Sequence, residues 1–119
     1  KKHSNADFIC ASMEKLPLRK DLKFDMIVAG QSLDIFPNEE YLKRIISEIT
    51  NYSSKDARFY MAFYGDDVQH LELDICTPIG LTLDKFGWKV IHGGLYDLSE
   101  ELSEGYHYAR GVFWVNEKT

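Results

Sequence analysis

The chain has no cysteine pair at a metal or redox spacing, no long uninterrupted apolar run, no excess of basic charge and no Gly-rich phosphate-cradling turn. Each absence removes a class. Cys10 and Cys76 stand far apart and belong to no C-x-x-C or Cys/His cluster, so two buried free thiols in a reducing, cytoplasmic setting are expected. No stretch approaches the roughly 18 consecutive apolar residues that spanning a bilayer requires, and no charged leader with an apolar core opens the chain, so neither membrane nor secretion is supported. Fourteen basic against nineteen acidic residues give a net charge of −5, which supplies no general attraction to a nucleic-acid backbone. The most basic stretch, residues 15–23, is interrupted by Asp21 and reads as a solvated loop. No His/Cys/Asp grouping has metal-ligand spacing, and no serine or cysteine nucleophile motif is present.

What is there suits a globular domain. The chain of 119 residues is 45% hydrophobic, and its seven Tyr, seven Phe and two Trp supply much of a core. It reads as one domain or a piece of one, without repeats or an internal linker. It opens on Lys1 rather than Met, which suggests a trimmed, processed or partly recorded polypeptide.

Residues 6–10 (Ala-Asp-Phe-Ile-Cys) form a short apolar run of strand length. Pro17 then holds Leu16 extended and stops any helix at that point. Residues 24–30 (Phe-Asp-Met-Ile-Val-Ala-Gly) lack alternation after Asp25, as a central parallel strand covered on both faces does. Asn38 caps a helix whose first turn carries Glu39 and Glu40. In that helix Tyr41, Leu42, Ile45, Ile46, Ile49 and Tyr52 make one apolar stripe, while Lys43, Arg44, Ser47 and Glu48 take the wet side.

The helix should stop near Ser53 and Ser54, and residues 58–64 follow as an aromatic-rich strand. Gly65-Asp66-Asp67 turns the chain, and the segment through Asp74 reads equally as helix or loop. Thr77-Pro78 is an N-cap and N1 pair, and Gly87 closes a short helix over 78–86. Residues 88–91 resume as strand, Gly93-Gly94 breaks it, an acidic connection spans 98–104, and residues 109–116 return as the last strand. These final two strands are expected to be antiparallel neighbours.

This succession, with the residue 6–10 strand, Met13-Glu14-Lys15-Leu16-Pro17, the residue 24–30 strand and a Phe86-Gly87-Trp88 turn into two final strands, resembles the second half of a class I S-adenosylmethionine-dependent methyltransferase. The resemblance implies an α/β fold: a partial Rossmann-like sheet of parallel strands with an antiparallel C-terminal strand inserted beside the fifth, and helices on the faces. The Gly-rich turn and the ribose-binding carboxylate of that family have no counterpart here. S-adenosylmethionine is therefore expected as cofactor only if an N-terminal half is supplied.

Carried over position by position, Ser12, Met13 and Glu14 would border the adenine, with Ser12 where the family often has an Asp. A hydroxyl still accepts a hydrogen bond, without the charge that strengthens one. Gly30 and Gln31 would pass the methionine portion, and Ser32, Asp34 and Tyr64 would face the methyl acceptor. Asp66 and Asp67, after the fifth strand, are candidates for a polar substrate or metal, and His92 and His107 for contacts to an aromatic substrate; the plainer alternatives are Asp34 as a turn or capping carboxylate, Asp66 and Asp67 as a solvated turn, and His92 and His107 as ordinary packing. Without the first two strands of the family's sheet, the residue 24–30 strand keeps one unpaired edge. Such an edge invites a second copy or a complementary chain, or lets the residue 6–10 strand move in beside it.

Overall fold

A computed structural model describes residues 10–30, 36–65, 68–97 and 110–119. Among them are strand β1 (Phe24–Gly30), helix α1 (Glu39–Asn51), strand β2 (Ser53–Gly65), the helical turn α2 (Val68–His70), a π-helical segment Leu71–Cys76, helix α3 (Thr77–Lys85) and strands β3 (Trp88–Asp97) and β4 (Arg110–Lys118). The sheet order is β1-β2-β4-β3. β1 runs parallel to β2, while β4 is antiparallel to both β2 and β3. The last strand is thus inserted beside the middle one, as the resemblance implied.

Local chemistry accounts for each element. Asn38 Oδ1 accepts the Tyr41 amide at 2.8 Å, which fixes the start of α1 where expected. Its end is Asn51, with Tyr52 as cap. Two cations sit at the carbonyl end of its dipole: Lys23 donates to the Asn51 carbonyl, and Lys118 reaches the carbonyls of Thr50 and Ser53. β2 alternates cleanly, with Ala57, Phe59, Met61 and Phe63 turned into the core. They pack with Leu42, Ile45 and Ile46 of α1, Leu71 and Ile75 of the π segment, and Ile79 and Leu83 of α3. The described helices therefore share one face of the sheet. Edge-to-face rings, Phe59 on Trp88 and Phe63 on Trp114, close that layer at centroid distances of 5.5 and 5.4 Å.

Six expectations are corrected. β1 is not central among the described residues: it has β2 on one side only, and on the face away from the helices Met26 and Val28 are 63% and 68% exposed. Ile27 and Ala29, on the helix face, are half-buried against the core. β2 begins at Ser53 rather than residue 58, because an irregularity opposite Phe24 and Met26 lets the chain pair early. Asp56 takes a φ of 63° there, a region that Asp tolerates better than most residues.

The short helix expected over 78–86 is α3, but Thr77 is not its N-cap. The run is helical from Val68, and Thr77 bonds back to the Glu72 carbonyl through both its amide and its hydroxyl. The widened π turn accommodates a ring that has no N–H to donate and crowds the carbonyl four residues earlier. Gly93-Gly94 does not break β3, because the rings of β4 lie across them: a Cβ would come within 3.0 Å of Trp114 Cδ1 at Gly93 and 3.1 Å of Phe113 Cε1 at Gly94. Glu48 is buried rather than wet, and Cys10 is exposed while Cys76 is half-buried. Gly87, with φ +85°, ends α3 as read.

Candidate functional site

Open sheets bind ligands beyond the carboxyl ends of their parallel strands. Here that rim is formed by the ends of β1 and β2, Gly30 and Gly65. Gly30 is exposed and has nothing within 4 Å of where a Cβ would stand, so its backbone is approachable at van der Waals distance. It lies in an apolar groove of about 140 Å³ with Val28, Tyr60, Ala62, Phe113 and Trp114. Tyr64 is half-buried near the end of β2 and pairs in register with Gly111. Gln31, Ser32, Asp34, Asp66, Asp67 and His107 lie outside the described residues, as does the residue 6–10 strand except for Cys10. His92 is exposed and tilts against Phe113 at 5.4 Å.

The loop after Cys10 is placed by different means. Ser12 Oγ accepts the Glu14 amide at 3.2 Å, and the Ser12 carbonyl accepts the Lys15 amide, which makes a compact turn. Met13 packs against the core. Glu14 accepts Arg44 Nε at 2.5 Å and, with Glu40, Lys43, Arg44 and Phe86, lines a concavity of about 400 Å³ of mixed charge. That concavity shares no lining residue with the Gly30 groove. The expected cofactor residues are thus divided between two surfaces among the described residues.

Three residues absent from the expected site hold this loop: Arg44, Glu48 and Tyr52. Glu48 accepts the Leu16 amide, and the Tyr52 hydroxyl donates its single proton between the Leu18 carbonyl at 3.0 Å and that of Leu16 at 3.3 Å. Glu48 follows Ile45 by three and precedes Tyr52 by four, which places it on the buried stripe. That spacing was the signal for its burial.

Among the described residues no group of three or more His, Cys, Asp or Glu could hold a metal. Asn116 is fully buried in β4, its Nδ2 donating to the Phe59 carbonyl at 3.1 Å and its Oδ1 without a hydrogen-bond partner. It joins β4 to β2 inside the core and lines neither groove at the site.

No family model and no curated protein matches the sequence. Solved structures do. A SAM-dependent methyltransferase from Methanosarcina mazei aligns with a TM-score of 0.71 at 12% identity, covering 91% of this chain and 65% of its own. The N-methyltransferase NodS from Bradyrhizobium japonicum, in complex with S-adenosyl-L-homocysteine, aligns at 0.70 and 8% identity, covering 98% and 56%. The [4+2]-cyclase SpnF aligns at 0.64 and 16% identity, covering 94% and 55%. The chain therefore spans less than two thirds of the length of these structures. From its strand order and these alignments, the chain carries, in partial form, the Rossmann-like fold of the class I methyltransferases.

Proposed function

We propose that this chain is the C-terminal part of an S-adenosylmethionine-dependent methyltransferase whose cofactor pocket is completed by strands preceding β1 in the fold. The observation that carries the reading is the insertion of antiparallel β4 between β2 and β3, with the unobstructed Gly30 backbone at the rim. In this reading Ser12, Met13 and Glu14 border the adenine, Gly30 and Gln31 pass the methionine portion, and Ser32, Asp34 and Tyr64 face the acceptor. The cofactor, when bound, supplies the activated methyl group. The protein's part is to orient the acceptor nucleophile in line with that methyl and to keep water out, which asks for shape more than for dedicated catalytic side chains. The open Gly30 and the hydroxyl of exposed Ser12 fit such a ligand. The acceptor stays open, since a [4+2]-cyclase shares the fold. Two free cysteines accord with a reducing, cytoplasmic setting, and no described helix is long and apolar enough to cross a membrane.

Ultraviolet cross-linking of the native polypeptide with methyl-labelled S-adenosylmethionine, followed by peptide mapping, tests this. Label displaced by S-adenosylhomocysteine and located around residues 12–14 or 30–32 is expected. Absence of any displaceable label would overturn the reading.

A second reading is a cofactor-free half-domain that works through association. The exposure of Met26 and Val28 on β1, which among the described residues has β2 on one side only, favours it. The occupant we assign to that edge is the front portion of the fold, since the aligned structures extend well beyond this chain.

A further inference from the structure

Residues 44, 48 and 52 fall on one stripe of α1, four apart, and meet the loop at residues 14, 16 and 18, two apart. The outer rung is the Arg44–Glu14 ion pair, in which the two side chains are 54% and 31% exposed. The inner rungs are more deeply buried: Glu48 is 8% exposed and Tyr52 3%. Glu48 gives the Leu16 amide a charged acceptor, and Tyr52 gives the carbonyls of Leu18 and Leu16 a donor. Between these contacts Pro17 holds Leu16 extended and has no amide that needs a partner.

A carboxylate on a buried stripe is a costly way to pack a helix, and its return here is the placement of a backbone segment. The same segment begins at Ser12-Met13-Glu14. We propose that Glu48 and Tyr52 are positioning residues that fix residues 12–18 as one wall of the cofactor site, with Arg44 as an exposed outer support. This rests on the methyltransferase reading above. Loss of either inner rung frees the loop without touching the ligand itself. Rigid placement of the wall then appears as affinity, since a loose loop must be ordered when ligand binds.

The test compares Glu48→Leu, which keeps bulk and removes the acceptor, with Glu48→Gln, which restores an acceptor, and with Tyr52→Phe, which removes only the hydroxyl. In the native polypeptide, hydrogen exchange at the Leu16 amide should quicken about tenfold in Glu48→Leu, with the amides of Phe59, Met61 and Phe63 at wild-type rates. S-adenosylhomocysteine should bind about tenfold more weakly to Glu48→Leu and to Tyr52→Phe, and Glu48→Gln should return to within about twofold of wild type. Equal affinity in all four proteins would overturn the proposal. If wild type binds no S-adenosylhomocysteine, the methyltransferase reading fails and takes the ligand half of the proposal with it. The exchange arm still decides the clamp, because a Leu16 amide as fast in wild type as in Glu48→Leu rejects it. Should Glu48→Leu not fold, Tyr52→Phe carries both readouts.

Discussion

The cysteines give the clearest contrast between single residues. Cys10 is exposed, whereas burial first and the negative charge of Glu72 second push the Cys76 thiol up to about 11 from its ordinary 9.0. At pH 8 its thiolate population is about a hundredfold below that of a thiol at the ordinary value. A thiol reagent at pH 8 should therefore modify Cys10 in a fast phase and Cys76 in a far slower one that quickens as pH is raised toward 11. Equal rates at the two cysteines would contradict the burial of Cys76. The linkage has a definite sign. The unfolded thiol releases its proton near 9 and the folded one only near 11, so the contribution is whole below pH 9 and is lost as pH rises through that window. At this scale sequence and structure part at Glu48: its charge reads as belonging to water, while its three-residue step from Ile45 puts it on the buried stripe.

Elements were legible where the information that makes them is local. β1 has the bounds that its apolar run implies, and α1 starts where Asn38 and two glutamates place it. Replacing Asn38 with Ala removes the acceptor for the Tyr41 amide, and the expected loss is about 1 kcal/mol, or roughly 4 °C in melting temperature. A melt within error of wild type would show the cap to be idle. The misread elements depend on contacts that a linear pattern does not carry. Gly93-Gly94 reads as a break until the rings of Phe113 and Trp114, some twenty residues on, are seen to lie across it. Thr77-Pro78 reads as a helix start because its residue types fit one. The π turn that admits proline inside a continuing run leaves no local mark.

For the molecule as a whole, the partial methyltransferase fold was legible from the order of strands and turns, and the sheet order agrees with it. The site was legible only in part. Gly30 ends β1, where the apolar run places it, but the loop of Ser12, Met13 and Glu14 is held by side chains of a helix that the motif did not implicate. Among the described residues β1 has β2 on one side only, with Met26 and Val28 exposed and no proline or lysine within it, which leaves its other edge open to pairing. The 119-residue chain should accordingly self-associate as its concentration rises in sedimentation equilibrium. A monomer across the whole range would deny the open edge.

The central claim is that these residues close one side of a cofactor pocket whose other side comes from the front of the fold. Calorimetric titration with S-adenosylhomocysteine, run in parallel on the native polypeptide and on the isolated 119 residues, addresses it most directly. One equivalent bound by the native polypeptide and none by the isolated chain is the predicted result. Equal binding by both, or a folded native polypeptide that takes up no ligand, would contradict it.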